Sequence, residues 1–293
     1  MPHKRILAGD IGGSHISIAL IEESSSGMKI LTSSRTNVDS SGSKEEILTL
    51  WSKVLEPLVN SNPEILIGLA MPAPFDYKNG VCWIKDQGKF LSLYGVNLKQ
   101  ELANRLSISS ENLFFVNDAE AFLRGEAYCG KAQGYQNVLG LTLGSGLGSS
   151  FKFGEEFSDG ALWSKSFKEG IAEDYLGTGW FLNKGEAIFG EKLSGVKELV
   201  ETLPKDEVKS IFKEYAANLA VFLWESNQKY ELNHVVFGGN ICKASFLFEE
   251  ELKLELQKLG SNLSFDFSEL GEMSALYGVI SSLAEEDNEL VNP

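Results

Sequence analysis

Cysteine is scarce and badly spaced for any framework: Cys82, Cys129 and Cys242 lie far apart among 293 residues, with no CxxC or CxH pattern. That excludes a disulfide scaffold and structural zinc, and it points to a reducing compartment. Positive charge is also short, with 26 Lys and Arg against 41 Asp and Glu, a net charge of −15. Such a surface argues against nucleic acid or an acidic membrane as a main partner. It does not exclude an anionic small molecule, because a local glycine turn can bind phosphate within an acidic protein. No apolar run approaches the length of a membrane span, and the N-terminus lacks the hydrophobic core of a signal peptide. By elimination the expected location is cytoplasmic. What remains is a chain of ordinary globular balance, long enough that two domains are the better expectation.

The stretch Ile6-Leu7-Ala8-Gly9-Asp10-Ile11-Gly12-Gly13-Ser14-His15-Ile16-Ser17-Ile18-Ala19-Leu20 carries the first signal. An apolar run ends in a carboxylate, turns on two glycines and leaves as a second, β-branched run, which reads as strand, turn, strand. Paired glycines let backbone N–H groups converge on an anion. A carboxylate beside a phosphate needs a cation between them, most simply Mg²⁺, which gives Asp10 a role. An ordinary hairpin with a Gly-Gly turn explains the same letters. A P-loop or a dinucleotide fingerprint does not, because each needs a helix directly after its glycines.

Further along, Ser24–Gly27 reads as a turn and Met28–Asn37 as a third strand. Lys44–Asn60 is a helix, with Ile47, Leu48, Trp51, Val54, Leu55 and Leu58 on one face. Glu64–Ala70 is a short buried strand running into Met71-Pro72-Ala73-Pro74-Phe75-Asp76, a loop stiffened by two prolines. A helix over Asn97–Leu106 precedes a strand, Leu113–Val116, which ends in Asn117-Asp118 before another helix from Ala119. Carboxylates at the C-terminal ends of buried strands are where ligands gather in α/β folds. By itself, Asp118 is better read as the N-cap of that helix, which Asp and Asn both serve well.

Asn137-Val138-Leu139-Gly140-Leu141-Thr142-Leu143-Gly144-Ser145-Gly146-Leu147-Gly148 repeats the design of the opening stretch. A unit repeated at that distance suggests a duplicated domain rather than a solenoid. The aromatic-rich middle, Glu155–Gly195, is either a lid or a covering segment. Val196–Leu203 and Lys205–Glu225 read as helices, and His234–Asn240 as a strand ending in a Gly-Gly turn with a helical stretch after it. Ser274–Leu283 is a final helix whose Ala275 and Gly278 permit close approach to a neighbour; the acidic tail Glu285–Pro293 frays.

In order, DIGGS, MPAPFD, NDAEAF, LTLGSGLGS, VVFGGN and SALYG resemble the sugar kinases of the ROK family, from about Ile6 to Leu283. The resemblance implies an α/β protein of two duplicated actin-like ATPase (ribonuclease H-like) domains, with mixed central sheets around a cleft. Residues 1–118 would form the first domain and 119–293 the second, the last helix being free to pack back on the first. It implies phosphate contacts from Asp10, Gly12, Gly13 and Ser14, with Asp10 organising Mg²⁺ indirectly. Gly144, Ser145, Gly146 and Gly148 would meet the nucleotide phosphates, and Gly238, Gly239 and Asn240 would lie near the adenosine. Asn117 would bind sugar and Asp118 would bind it and act as catalytic base, with Glu173, Pro72 and Ala73 as further sugar contacts.

The departures matter as well. Many family members carry a zinc-binding Cys cluster and an ExGH motif after the second phosphate turn; here no cysteine falls between Cys129 and Cys242, and Ala161 stands where the ExGH glutamate would be. No zinc is therefore expected, and one sugar-hydroxyl contact is missing. Ala73 also replaces a glycine between the prolines. The implied activity is ATP-dependent phosphorylation of a hexose or related sugar, glucokinase-like, with a catalytically weak or non-catalytic sugar sensor as the alternative. Family repressors carry an N-terminal helix-turn-helix, whereas a few residues precede Ile6 here, and the charge opposes DNA. A chaperone-like actin relative is disfavoured by MPAPFD and NDA, which suit a small substrate. The expected ligands are sugar and ATP with Mg²⁺, without nucleic acid or membrane; a homodimer is common in the resembled family.

Overall fold

The computed structural model describes residues 4–24, 27–61, 65–85 and 88–291. The centre of the turn expected at Ser24–Gly27, the first residue of the strand expected from Glu64, and the last two residues of the tail lie outside the described residues. The chain divides into a first unit, residues 1–128 with 272–293, and a second unit, residues 129–271. A boundary after Asp118 falls ten residues before this division, which keeps the helix that Asp118 starts with the first unit as far as Tyr128.

The first unit opens with β1 (Lys4–Ile11), β2 (His15–Ser24) and β3 (Gly27–Asn37), then α1 (Lys44–Asn60) and β4 (Leu66–Met71). A small ribbon of β5 (Phe75–Asp76) and β6 (Val81–Cys82) follows, then α2 (Leu98–Leu106), β7 (Leu113–Asn117) and α3 (Asp118–Cys129). The sheet order is β3-β2-β1-β4-β7, antiparallel among β1, β2 and β3 and parallel from β1 through β4 to β7. Because side chains alternate along a strand, β1 sends Leu7 and Ile11 into one core with Ile47, Leu48, Trp51 and Leu55 of α1. Ile6 and Ala8 go into a second core on the opposite face, and Asp10 shares their parity. Helix α1 starts at a capping box, Ser43 and Glu46 exchanging side-chain and backbone bonds, and carries the expected apolar face.

The second unit repeats the plan with β8 (Asn137–Leu143), β9 (Leu147–Phe153) and β10 (Glu156–Asp159). The aromatic-rich middle is a covering segment with structure of its own: a ribbon of β11 (Ser166–Phe167) and β12 (Gly170–Ile171), then α4 (Ala172–Leu176) and α5 (Thr178–Phe189). Its Phe167, Trp180 and Phe181 are buried against Phe212, Tyr215 and Phe222 of α7 (Lys205–Tyr230), which follows α6 (Val196–Thr202). Then come β13 (His234–Gly238), a 3₁₀ segment Asn240–Leu247, α8 (Glu249–Lys258) and β14 (Ser264–Phe267). The sheet order is β10-β9-β8-β13-β14, with the same pattern of antiparallel and parallel neighbours as in the first unit. Strand β14 is an element that no strong periodicity marks in the sequence.

The chain returns to the first unit as α9 (Met273–Val291), whose Ala275, Leu276, Val279, Ile280 and Leu283 fill the second core of that unit. The neighbour that the small residues admit is α3. A Cβ on Gly278 would stand 1.7 Å from the Ala121 carbonyl oxygen, and one on Gly125 would stand 1.8 Å from that of Ser274. Only glycine allows the two backbones that close. Ser274 Oγ donates to the buried Glu126 carboxylate at 2.5 Å beside the crossing. This crossing delivers Glu272, the residue just before α9, to the sheet end that carries Asp10.

Candidate active site

In the first unit the hairpin register pairs Asp10 with Ser17, and Ser17 with Arg35 on β3, so three polar side chains stand side by side across three strands. Gly12 N donates to the His15 carbonyl at 2.9 Å and closes the glycine turn. Ser14 Oγ and His15 Nδ1 share a hydrogen bond of 3.1 Å. Glu272 lies over the same row: its carboxylate accepts from Ser17 Oγ at 2.8 Å and pairs with Arg35 Nε at 3.3 Å. Glu272 was not singled out by sequence. It lies 262 positions from Asp10, and nothing short of the α3–α9 crossing brings it there.

Asp118 begins α3, which leaves the end of β7 next to β4, where Asn117 pairs with Met71. The helix cap is made one residue earlier than Asp118: Asn117 Oδ1 accepts from Glu120 N at 3.0 Å. Asp118 Oδ1 accepts from its neighbour Ala119 N at 2.8 Å. Asn117 is buried, and its Nδ2 donates to the Tyr77 hydroxyl at 2.9 Å, which in turn donates to the Met71 carbonyl at 3.1 Å. Tyr77 is thus a further member that the sequence reading missed. It ties the NDA segment to the Pro72-Ala73 loop, where Pro72 is buried and Ala73 is half-buried, with a cis bond to Pro74.

Burial and the nearby negative charges of Asp118 and Glu272 push the Asp10 carboxyl up to about 7 from its usual value. Desolvation is the leading cause, and repulsion from the two acids adds to it. A cation supplied to this corner would relieve both. Among the described residues no three His, Cys, Asp or Glu side chains are grouped as ligands for a metal ion. Mg²⁺ commonly binds through one or two carboxylates plus substrate phosphates and water. Asp10 fits that mode as an organiser rather than as one corner of an all-protein cage.

In the second unit the glycine turn between β8 and β9 is braced from several sides. Gly144 N donates to Gly146 O at 3.0 Å, while Gly144 O accepts from both Thr178 N and Thr178 Oγ1 at 2.8 Å. Glu173 Oε2 accepts from Leu147 N at 2.8 Å, and a Cβ on Gly146 would meet that oxygen at 2.5 Å. Gly144 itself faces open space. Gly148 pairs with Thr142 inside the ladder, and Ser145 O lies near Gly177. Gly239 has φ of +91°, and its missing Cβ would stand 2.3 Å from Leu143 O, so the Gly238-Gly239-Asn240 turn abuts the base of the Gly144–Gly146 turn in the same unit. Asn240 starts the 3₁₀ segment. Glu173, implied as a sugar contact, therefore also fastens the turn. Ala161 adopts a left-handed conformation, φ 45°, and donates its N–H to Asp159 at 2.8 Å.

Two sheets of one topology, each with a glycine turn at the end of its central hairpin, define the duplicated actin-like ATPase fold. The sequence model of the ROK family matches residues 6–163, more than half of the chain, and the chain belongs to that family. A glucokinase from Thermotoga maritima is 30% identical over 149 residues, 50% of this chain and 44% of the relative, so the match spans less than half of that relative's length. The solved structure of a ROK family glucokinase from Streptomyces griseus with glucose and AMPPNP has a TM-score of 0.75 at 17% identity, covering 96% of this chain and 99% of that one. A ROK hexokinase from Thermus thermophilus gives 0.75 at 17% identity, covering 97% and 99%. A ROK family transcriptional regulator, a homologue of the E. coli MLC protein, gives 0.73 at 13% identity, covering 95% of this chain and 78% of that one. These identities speak to the fold. Among the described residues no helix is long and apolar enough to cross a membrane.

Proposed function

We propose that the protein is an ATP-dependent sugar kinase, glucokinase-like, with Asp118 as general base. The observation that carries this reading is the corner formed by Asp118, Asp10 and the first glycine turn, in which Asn117 rather than Asp118 makes the helix cap. The glucokinase relative supports the same reaction class. Phosphoryl transfer asks mainly for in-line positioning and charge neutralisation. Asp118 accepts the proton of the sugar hydroxyl while its oxygen bonds to phosphorus. Asn117, with a second amide hydrogen besides the one given to Tyr77, holds the sugar with the Pro72-Ala73 loop. Glu173 contributes one carboxylate oxygen to the sugar. Gly12, Gly13 and Ser14 take phosphate in the first unit, and Gly144, Ser145, Gly146 and Gly148 do so in the second, with Gly238, Gly239 and Asn240 toward the adenosine. Mg²⁺, held through Asp10, supplies neutralisation of the phosphate charge when bound.

Purified protein with ATP, Mg²⁺ and a panel of hexoses and amino sugars tests this. ADP release that depends on one of the sugars is the expected result. Sugar binding without turnover would favour the sensor reading, to which the regulator of the same fold lends support.

A further inference from the structure

We infer that Lys89 is the cationic residue that meets the phosphoryl group in transfer at the first glycine turn, an assignment that rests on the kinase reading above. Its stem lies on the turn: Cδ is 3.3 Å and Cβ 3.7 Å from the point a Gly13 Cβ would occupy. The segment that carries it is pinned on the far side. Phe90 is fully buried, packs edge-on against Trp51 at 5.6 Å, and donates its N–H to Ser40 O at 2.8 Å. Ser40 Oγ is itself 3.6 Å from the same point at Gly13. Ser92 Oγ donates to Gly42 O at 2.8 Å and secures the next turn of chain.

The charge on Lys89 is uncommitted. Several cations of this unit are paired: Lys44 with Glu101, Arg105 with Glu45, and Arg35 with Glu272. Lys89 has no hydrogen-bond or ion-pair partner among the described residues. An unpaired lysine on a surface is unremarkable when its stem lies over apolar residues. Here the stem lies instead on a glycine of the turn proposed above to take phosphate, in a protein of net charge −15. A phosphate at the turn would give that ammonium its counter-charge. In the reaction the sugar oxygen bonds to phosphorus as the bond from phosphorus to the β,γ-bridging oxygen breaks. The electron pair leaves with ADP, the hydroxyl proton goes to Asp118, and the Lys89 ammonium neutralises the oxygens of the group in flight.

The test compares K89M, which keeps the stem and removes the charge, with K89R, which keeps the charge. Replacing Lys89→Met should lower kcat about a hundredfold, the scale of losing one charge-stabilising group, with the sugar KM and the melting temperature unchanged. Lys89→Arg should recover much of the loss. By calorimetry, Lys89→Met should weaken AMP-PNP about tenfold and spare ADP, as expected for a contact confined to the terminal phosphate. A kcat within threefold of the wild type, or equal losses for AMP-PNP and ADP, would overturn the assignment. If the wild type turns over no sugar, the kinase reading fails by itself, and the AMP-PNP to ADP ratio still decides Lys89. A wild type that binds neither nucleotide overturns both.

Discussion

The two glycine hairpins share a topology and differ in how they are held. The first is held by Gly12 N to His15 O and by Val38 N to Ser14 O, and around it stand Asp10, Asp118, Glu272 and the uncommitted Lys89. The second is fastened by Thr178, Glu173 and the Gly239 backbone. The two hairpins are alike in topology and unlike in surroundings, and on the proposed reading the first serves the chemistry and the second serves binding. That division of labour can be broken from either side.

The largest effect should come from Asp118→Asn, which removes the base but retains the shape. A fall in kcat of about a thousandfold is expected, with nucleotide affinity measured by calorimetry nearly intact because the second turn is untouched. Retained turnover would remove Asp118 from the base role. The converse change is Gly239→Ala, which forces a side chain into the Leu143 carbonyl and into a positive φ. Loss of about 3 kcal/mol of stability, together with weakened nucleotide binding, should appear in denaturant titration; a neutral outcome would mean that the turn is not braced as described.

Asp10 predicts a pH dependence for the protein free of Mg²⁺ and nucleotide. Its folded value of about 7 lies above its ordinary 3.8, so between these limits the folded form keeps a proton that the unfolded chain has released. Stability from this group therefore falls as pH rises from about 4 to 7. Thermal melts should show that slope in the wild type and a flatter one in Asp10→Asn, and Mg²⁺ with nucleotide should stabilise the wild type more at pH 8 than at pH 5. An unchanged slope in the variant would assign it to other groups.

Glu173 separates the two roles of one carboxylate. Glu173→Ala should raise the ATP KM about tenfold through the loosened turn, whereas Glu173→Gln, which can still accept from Leu147 N, should spare ATP and affect the sugar KM. Equal ATP constants in both variants would mean that the Leu147 bond does not shape the turn. The smallest effect belongs to Tyr77→Phe, worth about 1 kcal/mol for lost hydrogen bonds, read as a modest rise in sugar KM with kcat preserved.

Much of the plan was legible in the letters because it is local. Helix α1 follows from the spacing of Ile47, Trp51 and Leu55, and the hairpins follow from apolar runs broken by Gly12-Gly13 and Gly144–Gly146. The covering segment of the second unit was ambiguous because its aromatic residues have no single period; burial of Phe167, Trp180 and Phe181 decided it.

By itself, then, the sequence determined the two strand–turn–strand units, their duplication, the family, and the candidate roles of Asp10 and Asp118, since each rests on contiguous residues whose backbone preferences act locally. Tertiary structure decided which side chains share a corner. Strand register aligned Asp10, Ser17 and Arg35, the glycine crossing of α3 and α9 delivered Glu272, and the anchored Phe90 laid Lys89 on Gly13. Those meetings depend on packing between segments remote along the chain, and no local spacing encodes them.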